Sequence, residues 1–178
     1  MDRACDLGRV ALDGGAEPVE AAAAVFVVSG VDAPVRAIAA EAGVGMGTIY
    51  RHFPTRADLV IAVYRHQVEA CAEAGPELLR SSATPQEALR RWIDLFADFL
   101  VTKHGLAAGL RSDKARFETL HASFLDHLVP VCAGLLEAAG VEDLGALDLL
   151  RGVGNLCAGG DPHARRMVGL LLDGLLSR

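Results

Sequence analysis

The sequence predicts an all-α chain in two parts: a small N-terminal bundle of three helices, and a long fourth helix leading into a larger helical C-terminal half. Three observations predict it. Aromatic residues make up only 5% of a chain dominated by Ala and Leu; apolar residues recur every three or four positions instead of every second one; and Gly and Pro punctuate the chain at helix-length intervals. A length of 178 residues allows one large domain or two small ones. The motif positions favour two, residues 1–66, with 1–15 as an arm, and residues 67–178.

Residues 1–15 mix charges around Gly14-Gly15 without periodicity and read as a mobile arm or a frayed helix. Pro18 suits a first helical turn, where its missing N–H costs nothing. A first helix from about Glu17 to Ser29 buries Ala22, Val25 and Phe26 and stops at Gly30, with Asp32 offering the next N-cap and Pro34 just inside. In the second helix Val35, Ile38, Ala39 and Ala42 form one apolar stripe, ended by the turn Gly43-Val44-Gly45. A short third helix from about Met46 to His52 points Ile49 and Phe53 inward and leaves Thr48, Tyr50, Arg51 and His52 outside. Pro54 stops it, and Thr55 caps a fourth helix expected to run from Arg56 to about Glu73, ending before Gly75-Pro76.

The pattern resumes with Thr84 as N-cap and Pro85 as first residue of a helix whose stripe is Leu89, Trp92, Ile93, Phe96 and Leu100, with a break expected at Gly105. A short segment around Leu106 to Arg111 precedes a long helix from about Lys114 to Ala139, closed by Gly140. Two last helices, roughly Val141 to Ala158 and Asp161 to Leu176, carry more Leu and Val than one face can hide, which implies a partner surface.

A formal charge of −6 argues against a protein that coats polyanions through a broadly basic surface. Pro34 to His66 is different: Arg36, Arg51, Arg56 and Arg65 stand there against only Glu41 and Asp58, a locally basic stretch in an acidic chain. Within it, residues 38–53 form a helix, a glycine turn and a short second helix, the layout of a helix-turn-helix. A helix lying in the DNA major groove needs outward hydrogen-bonding groups of moderate size, which Thr48, Tyr50, Arg51 and His52 supply. Gly47 permits close backbone approach, and Arg56 joins a cation to a helix N-terminus, which suits phosphate.

The run Ile38-Ala39-Ala40-Glu41-Ala42-Gly43-Val44-Gly45-Met46-Gly47-Thr48-Ile49-Tyr50-Arg51-His52-Phe53 resembles the recognition motif of the tetracycline-repressor (TetR) family, gaplessly and over its full length. The resemblance implies Thr48, Tyr50 and His52 as phosphate or base contacts, Gly47 for close approach, Arg56 as a phosphate-binding residue, and Met46 and Arg51 as the variable reading positions. Arg36 and Gly45 complete the candidate DNA-binding set. Residues 87–92 and 161–167 are similar to the subgroup with an SbtR-like C-terminal domain.

The function implied is a ligand-responsive repressor: a cytoplasmic homodimer, joined through its last two helices, that binds a palindromic double-stranded operator and leaves it when a small-molecule effector binds the C-terminal half. The fourth helix would transmit the change. Leu89, Trp92, Phe96, Leu120 and Phe124, with Arg91, Arg111 and His121 as polar anchors, are the candidate effector residues, although these apolar residues equally suit a solid core.

Other readings are weaker on the residues. Gly43, Gly45 and Gly47 do not follow a strand, as a dinucleotide loop requires. His104, His121, His127 and His163 and the four scattered cysteines show neither metal-ligand spacing nor a disulfide framework, so no metal or cofactor is expected, and Cys71, flanked by Glu69 and Glu73, reads as structural. The apolar run Ala21 to Val28 is too short for a membrane span, and the segment before it is acidic where a secretion signal would be basic. A helical-bundle enzyme finds no nucleophile elbow or paired carboxylates. An interaction module that has lost DNA affinity is the alternative that the acidic arm and Pro18 suggest.

Overall fold

The computed structural model describes residues 16–109, 114–158 and 163–177, and within them eight helices and no strand. The arm reading of residues 1–15, and Arg111 among the effector candidates, lie outside the described residues.

Helix α1 (Ala16–Ser29) buries Val19, Ala22 and Phe26, with Val25 half-buried, and gives way at Gly30, whose φ of 74° suits glycine. Helix α2 (Val35–Glu41) is capped at Pro34 without any side-chain hydrogen bond, so the expected Asp32 cap is not formed; the ring of Pro34 fixes its φ of −64°, and its carbonyl accepts from Ala37 N at 2.9 Å. After α2, Gly43 turns the chain at φ 66°, and Val44 N donates back to the Ala39 carbonyl at 3.0 Å. Helix α3 (Met46–His52) follows immediately, with Gly45 as N-cap.

Helix α4 (Arg56–Ser81) opens with a full capping box: the Thr55 side chain accepts from Asp58 N, and the Asp58 carboxylate accepts from Thr55 N at 3.1 Å. It does not stop at Glu73 as the Gly75-Pro76 pair suggested, but runs through Pro76 to Ser81. An interior proline costs about 3 kcal/mol. Here that cost is outweighed by packing: Val68, Cys71, Gly75 and Leu78 are all buried along this half of the helix, where Trp92 Nε1 also donates to the Cys71 carbonyl at 2.8 Å.

Helix α5 (Pro85–Gly109) begins as expected, with Glu87 N donating to Thr84 Oγ1 at 3.1 Å. It continues through Gly105, where a break was expected, so residues 106–109 belong to it; one glycine lowers helix propensity by only about 1 kcal/mol, too little to end a long helix held by its packed face. Helix α6 (Lys114–Ala138) ends near Gly140, at φ 76°. Helix α7 (Ala146–Leu156) is shorter at both ends than its apolar pattern suggested, and α8 spans Ala164–Leu176; the expected start of the last helix at Asp161 lies outside the described residues.

Helix α4 joins the two halves. At its start Arg56 reaches the α1–α2 turn; further along, Tyr64 meets Phe99 of α5 and Phe124 of α6 at ring-centroid distances of 5.5 and 6.5 Å. A single apolar cluster therefore extends from Val19 in α1 to Leu172 in α8. Two ion pairs tie α8 to α5 at the surface, Arg90 with Asp173 and Arg165 with Asp98.

Candidate functional site

Local sequence explains the position of α3. Ile49, 1% exposed, is its one buried residue, so a single apolar anchor and the two glycine-bearing turns before it fix the helix against α2. The remaining surface faces away: Met46 is 52% and Tyr50 51% exposed, with Arg51 and His52 also exposed and Thr48 half-buried. The exposed Met and Tyr thus stand beside an exposed Arg on a helix whose one buried side chain faces its own chain. Gly45 and Gly47 are exposed, and a Cβ on either would meet nothing within 4 Å, so neither glycine is there to relieve internal crowding. Arg36 is exposed on α2.

Arg56 is placed differently from the others. Its Nη2 donates to the carbonyls of Val31 and Ala33, the latter at 2.7 Å, and its Cζ lies 5.9 Å from the centre of the Phe26 ring. The guanidinium thus satisfies two carbonyls of the turn that aims α2 and α3, a second use for a residue that sequence reasoning assigned to phosphate alone.

The effector candidates separate into two groups. Leu89, Trp92 and Phe96 are at most 1% exposed; Trp92 stacks on Phe96 (5.9 Å, 3°) and Phe96 on Phe124 (5.9 Å, 24°). These three side chains are buried in the apolar core. Leu120 and Phe124, by contrast, line a cleft of about 230 Å³ between α4 and α6, together with Tyr64, Arg65, Val68, Glu69, Ser123 and His127. The His127 Nδ1 is held by the Ser123 carbonyl at 2.6 Å, and His121 is exposed with its ring against Phe124 (5.6 Å, 15°).

A second cavity of about 420 Å³ adjoins the first and shares Arg65 and Leu120 with it; its other walls are His52, Phe53, Pro54, Asp58, Ile61 and Ala62. It lies between the end of α3, the start of α4 and α6. Sequence reasoning named Leu120 and Phe124 but missed the α4 wall of the first cleft and the whole of the second, because Tyr64, Arg65 and Glu69 look like ordinary positions of an amphipathic helix.

Burial pushes the thiols of Cys71 and Cys132 up to about 12, and raises Cys157 as well, which suits structural cysteines. Among the described residues no three His, Cys, Asp or Glu side chains gather as metal ligands, and no helix is long and apolar enough to cross a membrane.

Comparison with known proteins decides the family. Residues 19–63 match the profile described as bacterial regulatory proteins, tetR family. A TetR transcriptional regulator, SCO0520 from Streptomyces coelicolor, is 34% identical, with a TM-score of 0.78 over 89% of this chain and 96% of its own. The chain belongs to the TetR family. A TetR transcription regulatory protein from Mycobacterium vanbaalenii is 28% identical, with a TM-score of 0.70 over 90% of this chain and 93% of that one. A fatty acid metabolism regulator protein of Bacillus subtilis (strain 168) is 31% identical over 90 residues, 50% of this chain, which spans 46% of that relative's length. The TetR fold thus accounts for the all-α architecture, and the motif on α2 and α3 for its reading head.

Proposed function

We propose that this TetR-family regulator binds a palindromic operator as a cytoplasmic homodimer and represses transcription until a small-molecule effector releases it. The observation that carries this reading is the surface of α3: Met46, Tyr50, Arg51 and His52 stand exposed on a helix fixed by Ile49 alone. A groove-bound helix uses such side chains on base edges and phosphates, with the exposed Gly45 and Gly47 letting the backbone approach the duplex. Thr48 and Arg36 complete the contact surface, and Arg56 fixes the angle at which it is presented.

The division proposed is a DNA-binding unit of residues 1–66 and an effector and dimerisation unit of residues 67–178. Dimerisation through α7 and α8 is supported by α8, where Met167 and Leu170 are 38% and 56% exposed; exposed apolar side chains one turn apart suit a partner helix. Two α3 helices would then sit about 34 Å apart, one turn of duplex.

The test is a random-oligonucleotide selection with the purified protein at moderate salt, followed by binding of the enriched DNA to Tyr50→Ala and Arg51→Ala variants. A palindromic site bound by the wild type and lost by both variants supports the reading. No enrichment, or binding insensitive to both changes, overturns it in favour of an interaction module.

A further inference from the structure

We infer that the cavity walled by His52, Ile61, Arg65 and Leu120 is a binding site for an apolar carboxylate, whose occupancy opposes DNA binding by drawing on His52. The inference deepens the proposed function, since it names the chemical class of one regulatory ligand and the place where it acts.

The cavity's volume of about 420 Å³ falls in the range of roughly 300–1,000 Å³ typical of small-molecule sites. Its floor is apolar, made by Phe53, Pro54, Ile61, Ala62 and Leu120. The charged groups at its edge are not equivalent. The Asp58 carboxylate is committed to the cap of α4, bonding Thr55 N at 3.1 Å and the Thr55 hydroxyl at 2.7 Å. Arg65 is exposed, and among the described residues it makes no ion pair, not even with Glu69 one turn further along α4. A guanidinium keeps its charge at any working pH and receives a carboxylate through two parallel hydrogen bonds. An apolar floor, an acid already engaged and an available arginine together select an amphipathic anion over a cation or a sugar.

Position supplies the coupling. Arg65 and Leu120 also line the neighbouring cleft between α4 and α6, so a ligand headed at Arg65 touches both halves of the molecule. His52 is at once a wall of the cavity and one of the exposed residues of the recognition helix. An imidazole turned toward a carboxylate in the cavity is withdrawn from a DNA phosphate, so the two ligands bind with opposite preference for its orientation, which is the differential interaction that coupling requires.

Octanoate is the probe, with 1-octanol and octylamine as matched controls, titrated into the full chain and followed by the backbone amide NMR signals. The expected result is saturable shifts centred on residues 52–65 and on Leu120, at least tenfold tighter for octanoate than for either control. Arg65→Gln should remove that preference while leaving octanol unchanged, and Arg65→Lys should keep most of it. Equal binding of octanoate and octanol, an Arg65→Gln variant with unchanged preference, or no shift up to the onset of micelle formation would each overturn the inference. Because these titrations use the free protein, they stand apart from the DNA selection: failure to enrich an operator sinks the regulator reading and leaves the titration to judge the site. On an enriched operator, octanoate should weaken wild-type binding and leave Arg65→Gln binding unchanged; an operator affinity indifferent to saturating octanoate overturns the coupling to His52.

Discussion

Replacing Gly75 by Ala should destabilise the protein although Ala is the better helix former. A Cβ at this position would press into Val131 Cγ1 far inside van der Waals contact, with Trp92 Nε1 at 3.6 Å and Leu135 Cδ1 at 3.7 Å on its other sides. The Trp92 indole cannot retreat without giving up its 2.8 Å bond to the Cys71 carbonyl, so Val131 or the whole of α6 must move. Overpacking of this kind costs about 1–3 kcal/mol, and the helix propensity gained returns about 1 kcal/mol. A net loss of up to about 2 kcal/mol is expected, which for a chain of this size lowers Tm by up to roughly 8 °C. Val131→Ala alone, at a half-buried site, should cost about 1 kcal/mol. In the double variant the clash is gone, so Gly75→Ala becomes neutral or stabilising on that background. Urea unfolding of the four proteins at one fixed concentration measures this, with the concentration held constant because a dimer's stability depends on it. Additivity of the two changes within about 0.5 kcal/mol would refute the claim that α4 and α6 meet at this glycine.

Three further outcomes follow from the geometry. Arg56→Ala and Arg56→Lys should both lower stability without DNA present, the alanine change by about 2–3 kcal/mol because two carbonyls lose a charged donor; unfolding as stable as wild type would return Arg56 to a pure phosphate role. Thr55→Ala should cost about 1 kcal/mol through the lost capping box, seen as a lower urea midpoint with an unchanged slope. Cys71 and Cys132 hold their protons up to about pH 12 in the folded state, whereas the unfolded chain releases them near pH 8.5. Above that pH the unfolded state binds fewer protons, so their contribution is fully present below pH 8.5 and is lost as pH rises toward 12, at up to about 1.4 kcal/mol per pH unit for each thiol. A Cys71→Ala/Cys132→Ala variant should show a shallower alkaline decline; an identical one would sink the assignment.

Much of the fold could be read from local signals because each has a local cause. Gly30, Gly43 and Gly140 all adopt positive φ where the sequence pattern ends a helix, and Thr55 and Thr84 both accept the N-terminal hydrogen bonds expected of them. The misjudged boundaries share a tertiary cause. Pro76 and Gly105 are helix breakers by propensity, and both lie inside helices; α4 continues because Cys71, Gly75 and Leu78 are packed beneath it on both sides of the proline. The exposed face of α3 was legible for a similar reason, since Ile49 is the one residue of that helix that is buried. Trp92 and Phe96 could not be divided between core and pocket by spacing, because both uses need the same helical stripe. The cleft beside Arg65 was invisible for the opposite reason: it is made by the flanks of α4 and α6, and no periodicity marks a flank.

The close approach at Gly75 also sets a gear ratio. From Gly75 to Arg56 helix α4 spans nineteen residue steps, about 29 Å at a rise of 1.5 Å each. With α4 pinned against Val131 and Leu135 at one end and bonded to the Val31 and Ala33 carbonyls at the other, a tilt of about 5° at the pin sweeps the α1–α2 turn through about 2.5 Å by that same length. Hydrogen bonds to base edges tolerate only a few tenths of an ångström around their usual 2.7–3.2 Å. In the proposed dimer, a rotation too small to disturb the core at its origin would therefore be large enough, at the far end of a stiff rod, to take two reading heads out of register with a fixed duplex.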